Sequence, residues 1–443
     1  MKKILLFGAG KSATCLIGYL IGQTRTHDWQ LIVADGNLSL ARSKTGAEDT
    51  ERVKAVALQV EDEQAREGLV RGADIVISLL PAALHFLVAR SCVTWKKDLL
   101  TASYLDDNIK TLEPEIRQNK LLFLYEMGLD PGIDHMSAMQ LIHGIREKNG
   151  RIISFRSHTG GLIAPESDDN PWHYKISWNP RNVVMAGSAG AQYKDNNRLI
   201  SKSYIELFEY LNEVNLDGLS PLAWYPNRDS LSYIPVYGLE EAATFIRTTL
   251  RYPVFCRAWN AIVKAGLTDD RPGLPTAPTH GTEIPGAAGL TFANWSAPIR
   301  PFIDGENEPL LKFLGIFDEA PIPSTATSSA DILQYLLETR LAMHSTDKDM
   351  IVMLHEIEYE TQTGTSPATL KRVVNSSLIV KGEDHLQTAM AKTVGLPLGI
   401  AASLILEGRI GLSGLHIPIL PEIYTPVLKE LGTQGICFKE TVS

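Results

Sequence analysis

The chain has 443 residues, of which 44% are apolar and 21% charged. That length is more than one hydrophobic core supports, so two or three domains are expected. A net charge of −9 argues against a nucleic acid or an anionic membrane as partner, because both select basic surfaces. The four cysteines, Cys15, Cys92, Cys256 and Cys437, show no CxxC and no metal-ligand spacing. They point to reduced thiols in a cytoplasmic protein and to no bound metal. The start, Met1-Lys2-Lys3 then Ile4 to Phe7, breaks at Gly8-Ala9-Gly10-Lys11, too early for a secretory apolar core. By the same reading, no apolar run is long enough to cross a bilayer.

In chain order, Ile4–Phe7 is expected as a buried strand and Ser12–Gln23 as a helix with Leu16, Ile17, Leu20 and Ile21 on its apolar face. Further strands are expected at Leu31–Ala34, Val53–Val60, Asp74–Leu80, Leu99–Ser103 and Leu121–Tyr125, with helices at Leu84–Trp95 and Ile109–Lys120. Strands alternating with helices of this length mean βαβ units and a parallel sheet.

The first strand runs into Gly8-Ala9-Gly10-Lys11-Ser12-Ala13, a G-x-G-x-x-A turn that opens a helix. Gly8 permits the tight turn, Gly10 lets a pyrophosphate approach the backbone, and Ala13 keeps helix and strand close. The free N–H groups of the helix start favour the phosphates. Asp35 ends the second strand, where a carboxylate accepts from the ribose 2′-OH and repels a 2′-phosphate. It predicts NAD in preference to NADP. Ala13, Arg42 and Lys44 pull weakly toward NADP, because a small third position and nearby cations often accompany it, unless the two cations are only a solvated helix face. Leu79-Leu80-Pro81 and Ser103-Tyr104 follow the fourth and fifth strands at the carboxyl edge of the sheet. Ligands bind at that edge in open α/β folds, although either segment also suits plain chain punctuation.

Beyond the sixth strand the pattern changes. Ile152–Phe155 starts a new strand. Ser157 to Glu166 and Asn170 to Trp178 are polar and rich in Gly, Pro and aromatics, and are expected as ordered loops over a pocket. Tyr225 to Ser230 and Arg247 to Pro253 are expected as arginine-bearing loops suited to gripping carboxylates. Pro272 to Pro301 is expected as a loop or subdomain boundary.

These segments resemble the saccharopine reductase family, the glutamate-forming saccharopine dehydrogenases, over nearly the whole chain. The likeness rests on the glycine turn, Val76 to Pro81, Thr101-Ala102-Ser103-Tyr104, Glu126-Met127-Gly128-Leu129-Asp130-Pro131-Gly132-Ile133-Asp134-His135, Gly160 to Glu166, Tyr225 to Ser230, Thr249-Leu250-Arg251-Tyr252 and Met390 to Gly395. It implies an α/β architecture with an N-terminal Rossmann-type parallel sheet completed by the C-terminal segment. An inserted α/β substrate and dimerisation domain and a small helical subdomain would complete the fold. The corresponding boundaries are 1–128, 129–389 and 390–443. Saccharopine would be oxidised reversibly by NAD(P) to glutamate and 2-aminoadipate 6-semialdehyde in a cytoplasmic homodimer.

Carried over by position, Gly8, Gly10, Lys11, Ser12, Ala13, Asp35, Leu58, Gln59, Leu79, Leu80, Pro81, Ser103 and Leu129 would contact the cofactor. Ser103, Tyr104, Asp130, Arg228, Thr249, Leu250 and Arg251 would contact the substrate. The chain departs from the family at Thr159, where a cysteine is usual, and at Asp35, an acid that the fungal NADP-linked members lack. Asp130 is the first candidate to hold or deprotonate the substrate amine. Its position before Pro131 also suits a helix N-cap. Asp134 and His135 are expected to be structural, and Lys175 and His173 are weaker candidates. The alternatives are a carboxynorspermidine or carboxyspermidine dehydrogenase, whose pocket should hold more carboxylates and fewer arginines, and a non-catalytic NAD-binding regulator.

Overall fold

The alternating apolar runs of the N-terminal part form a seven-stranded sheet in which every pair is parallel. The computed structural model describes residues 1–46, 50–274, 289–362 and 369–443. Within them the chain forms two compact units.

The first unit comprises Met1–Lys148 and Leu386–Phe438. Its strands are β1 (Lys2–Phe7), β2 (Trp29–Asp35), β3 (Val53–Ala57), β4 (Ile75–Ser78), β5 (Asp98–Thr101) and β6 (Leu122–Leu124). Across the sheet they run β6, β5, β4, β1, β2, β3, and Gly414–His416 from the C-terminal segment adds beside β6. The continuous apolar run of β1 follows from burial on both faces, since Ile4, Leu5 and Leu6 are fully buried. The expected helix at Ile109–Lys120 is two short helices, Asp107–Lys110 and Glu113–Gln118. Pro114, which cannot donate to a preceding carbonyl, lies in the first turn of the second. The expectation about membrane-length runs needs correction. The helix Ala389–Leu406 has 18 residues and a mean hydropathy of 1.6, enough on length and composition to span a bilayer. Its side chains are instead mostly buried in this unit, where it packs on α1 (Thr14–Thr26).

The second unit comprises Asn149–His385 and Lys439–Ser443. A ten-stranded mixed sheet is built around β7 (Arg151–Ile163). The strand Thr244–Arg251 lies parallel to β7 on one side, and Asp349–Gln362 lies antiparallel on the other. Two expected loops are therefore strands. Ser157, Thr159, Gly160 and Gly161 are inner positions of β7, and Arg247 to Arg251 lie in the neighbouring strand. Small residues are needed here because the chains are close: a Cβ at Gly160 would lie 2.7 Å from the Leu250 Cβ. The aromatics of Asn170 to Trp178 are core rather than pocket cover. Trp172 and Tyr174 are buried with Phe255, Trp259 and Trp295 against the helices Pro253–Lys264, Glu308–Leu314 and Ser329–Arg340. Of the stretch expected as a loop over 272–301, residues 275–288 lie outside the described residues. The rest includes a helical turn at Phe292–Trp295 and a 3-10 helix at Ala297–Phe302.

Candidate active site

The carboxyl edge of the parallel sheet gathers the cofactor candidates of the first unit. At Gly8 φ is +97°, and a Cβ there would lie 2.6 Å from the Leu79 carbonyl oxygen. Only glycine lets the turn pass over the end of β4. A Cβ at Gly10 would meet nothing within 4 Å, so the backbone there has an open face where a pyrophosphate can approach. Lys11 to Ala13 form a 3-10 turn that leads into α1, with Ala13 buried and Lys11 exposed. The Ala13 N–H is taken by the Gly10 carbonyl at 3.0 Å, so the N–H groups of Lys11 and Ser12 are the ones that suit phosphate oxygens. Leu58 and Gln59 follow β3, and the Gln59 amide lies over Gly36. Leu79 and Leu80 are half-buried and Pro81 is exposed. These residues fit a dinucleotide.

Asp35 is held within this turn. Its Oδ2 accepts the backbone N–H of Ala9 at 2.7 Å, and Oδ1 accepts that of Asn37 at 2.7 Å. Lys44 reaches back from the next helix to donate to the Gly10 carbonyl. Burial pushes the Lys44 ammonium down to about 8, against the raising effect of Asp35.

Past β5, Ser103 and Tyr104 are half-buried at the same edge, and the Tyr104 hydroxyl donates to Asp130 Oδ1 at 3.3 Å. Ser103, Tyr104 and Asp130 are thus brought to one place, with Leu129 buried beside them. The N-cap reading of Asp130 is not realised. The helix Ile133–Glu147 has Gly132 as its cap residue, and Asp134 accepts the Gly132 N–H at 2.6 Å.

Two further groups stand here to which the sequence assigns no role, Glu126 at the head of the run that ends at His135 and His85 outside any motif. Glu126 adopts φ +58°, a left-handed conformation unusual for a non-glycine residue and concentrated at functional sites. Its carboxylate accepts from Leu105 N at 3.1 Å and lies 2.7 Å from His135 Nε2, all within the interior. His85 bridges two hydroxyls, Ser78 Oγ at 2.8 Å and Ser103 Oγ at 2.6 Å. Glu126 and His135 are the two ends of one run, whereas His85 carries no motif and meets Ser103 only because β4 and β5 are neighbours.

In the second unit, Thr249 pairs with Thr159 across neighbouring strands and with Tyr225 on the other side. Strand alternation places Thr159, Tyr225, Thr249 and Arg251 on one face. Leu250 points to the opposite face and is buried with Leu162 and Val352, so only its backbone lies beside its neighbours. The Arg251 guanidinium is 4% exposed and sits over the rings of Tyr174 and Phe255, 5.2 and 5.6 Å from their centroids. Its Nη1 donates to the Leu250 carbonyl at 2.7 Å, and its Nε has no acceptor. Among the described residues no carboxylate pairs with it. The Thr159 hydroxyl is also buried without a partner.

Arg228 lies apart, exposed on a two-residue strand that pairs with Ala191, with φ +50°. Lys175 is a paired interior cation. Desolvation works against its charge, but bonds to Asp169 at 2.8 Å and Asp347 at 2.7 Å prevail and hold it protonated. That makes it a poor base. His173 is tied to Asp168 at 2.5 Å.

Known proteins resemble this chain over nearly its whole length. Residues 4–124 match the model of the saccharopine dehydrogenase NADP binding domain, and residues 128–436 that of the saccharopine dehydrogenase C-terminal domain. The chain is 35% identical to the alpha-aminoadipic semialdehyde synthase of Arabidopsis thaliana over 93% of its own length but 41% of that protein's. It therefore spans less than half of this relative. It is 33% identical to the saccharopine dehydrogenase [NADP(+), L-glutamate-forming] of Saccharomyces cerevisiae, with 99% of each chain covered. A solved apo structure of saccharopine dehydrogenase (L-Glu forming) from the same yeast matches with a TM-score of 0.85 over all of both chains, at 31% identity. The expected preference for NAD does not stand, because the matching model is an NADP binding domain and the yeast relative is named for NADP(+). Both oxygens of Asp35 take backbone N–H groups, so the carboxylate serves as a clip for the turn, a role that its residue type and position alone do not reveal.

Proposed function

The chain belongs to the saccharopine dehydrogenase family, and we propose that it oxidises saccharopine with NADP to L-glutamate and 2-aminoadipate 6-semialdehyde, reversibly, as a cytoplasmic homodimer. The observation that carries the substrate reading is Arg251. A buried guanidinium without a carboxylate partner is costly unless a ligand completes it. Saccharopine offers three carboxylates as that partner, whereas a carboxylated polyamine offers one carboxylate among cations that a guanidinium would repel. Arg228 and Thr249 are proposed to hold the remaining substrate oxygens.

A bound nicotinamide would supply the hydride acceptor. The chain's own residues do the rest. In this proposal Gly8 to Ala13 hold the pyrophosphate, Lys44 meets the 2′-phosphate, and Ser103 orients the reacting nitrogen. Asp130, bonded to Tyr104, takes the proton that the secondary amine must lose before its neighbouring C–H gives up hydride. Water then adds to the resulting C=N bond, and the C–N bond breaks to release amine and aldehyde.

The test is direct. Purified protein is mixed with saccharopine and NADP at mildly alkaline pH, and the absorbance of reduced nicotinamide is followed. Reduction with release of glutamate is expected. No turnover of saccharopine, together with turnover of carboxynorspermidine, would replace this reading with the related reductive aminator.

A further inference from the structure

We infer that His85 is a positioning residue that acts through Ser103, fixing the place and the hydrogen-bonding polarity of that hydroxyl at the edge of the sheet. The inference rests on the proposed function, in which Ser103 touches the reacting groups.

The geometry is built from adjacent strands. Ser78 ends β4, and Ser103 lies two residues beyond the end of β5, whose Thr101 pairs with Ser78. His85 opens the helix His85–Trp95 and places its ring between the two, 2.8 Å from Ser78 Oγ and 2.6 Å from Ser103 Oγ. Ser78 is fully buried and His85 is 2% exposed, whereas Ser103 is only half-buried. The chain of bonds thus leads from the interior to an accessible hydroxyl.

Burial pushes the His85 imidazole down to about 4, a little offset by Asp106, so the ring is neutral under ordinary conditions. A neutral ring has one N–H and one bare nitrogen, so its two hydroxyl partners must take opposite roles. With the proton on Nε2, Ser103 accepts from the ring and keeps its own O–H to donate outward. With the proton on Nδ1, Ser103 donates to the ring and presents lone pairs. Either way the ring leaves Ser103 one fixed role toward a ligand. A histidine kept only to satisfy the interior would need two partners as well, but neither would need to lie at the accessible edge.

The test is a double-mutant cycle on the full chain, with saccharopine and NADP as substrates. His85→Asn can keep the bond to Ser78 and loses the one to Ser103. It is expected to lower kcat by about tenfold to a hundredfold, the range for a misplaced contact at the reacting centre. Ser103→Ala should fall by a similar factor, and the double variant no further than the worse single one. His85→Gln, whose amide extends toward the place of Nε2, should recover part of the loss. A wild-type kcat in His85→Asn, or a double loss equal to the product of the single losses, overturns the inference. If His85→Asn fails to fold, Ser78→Ala takes its place in the cycle, and additivity with Ser103→Ala overturns it equally. A wild-type protein that reduces no NADP with saccharopine overturns the functional reading and this inference with it. A wild type that turns over, with additive or silent variants, overturns the inference alone.

Discussion

The carboxylate of Asp35 accepts the backbone N–H of Ala9 at 2.7 Å, tying the end of β2 to the glycine turn after β1. Ala9 is fully buried, so its N–H needs an acceptor within the protein. The other Asp35 oxygen accepts from Asn37, which caps the following helix by accepting from Leu40 N. One side chain therefore sets the shape of the phosphate turn and the start of the next helix. Asp35→Ala leaves both N–H groups without that acceptor and is expected to lower stability by about 1–3 kcal/mol. Asp35→Asn keeps one acceptor and should lose less. Urea unfolding of both variants checks this; an Ala variant as stable as wild type would show that the clip contributes nothing.

Lys44 gives a pH dependence with a defined sign. Its folded pKa is about 8, below the ordinary lysine value, so the unfolded chain binds the proton more tightly. Its contribution to stability therefore rises as pH rises from about 8 toward about 10.4. Cofactor binding should move the other way. If the ammonium, placed at the Gly10 carbonyl, also meets the 2′-phosphate of NADP, affinity falls as pH passes about 8, approaching tenfold per unit. Titration calorimetry with NADP from neutral to alkaline pH measures it. Lys44→Gln should flatten the profile, and NAD, which lacks the phosphate, should not show it. An unchanged slope in the glutamine variant would assign the dependence to another group.

Gly8→Ala should be far more costly than its size suggests. The new Cβ would meet the Leu79 carbonyl at 2.6 Å in a backbone conformation that disfavours side chains. Either the turn or the end of β4 must move, at a cost of about 1–3 kcal/mol. Thermal unfolding together with NADP titration should show both lower stability and weakened binding. Gly10→Ala faces open space and should keep its stability while losing cofactor affinity. That split separates a glycine needed by the fold from one needed by the ligand.

The first unit was legible because its signals are local. A glycine turn between an apolar strand and a helix needs only a few residues, and Gly8, Asp35 and Leu79 fall where the pattern puts them. The second unit was less so. Ser157 to Gly161 look like a loop because they are polar and small, yet the centre of a closely packed sheet needs the same residues, as Gly160 against Leu250 shows. Trp172 looks like pocket cover, but its indole N–H finds the Leu310 carbonyl at 2.7 Å, a partner 138 positions away that lets it lie in the core. Asp35 was expected to select NAD, a preference that the NADP-linked relatives overturn, and the backbone donors that engage its oxygens appear only once β1 and β2 are side by side. His85 gave no signal for the same reason, since Ser78 and Ser103 meet its ring only once β4 and β5 are side by side.

Arg251 separates function from stability most sharply. Its guanidinium lies over Tyr174 and Phe255, with one Nη bonded to the Leu250 carbonyl and Nε unsatisfied. If a substrate carboxylate completes it, Arg251→Met leaves that carboxylate unpaired in the site. The expected loss is about 2–5 kcal/mol in kcat/KM for saccharopine, the range for breaking a buried charge pair. Stability should stay level or rise, because an apolar side chain replaces a buried charge that lacks a counterion. Lysine should restore little activity, since it supplies a point charge rather than a planar fork. NADP affinity should hardly change, because the cofactor candidates belong to the other unit. An arginine kept for the fold predicts the reverse, with lower thermal stability and near-normal kinetics. Steady-state kinetics, NADP titration and thermal unfolding of Arg251→Met and Arg251→Lys decide between them. A fall in kcat/KM of less than about tenfold, near 1.4 kcal/mol, would place carboxylate recognition elsewhere.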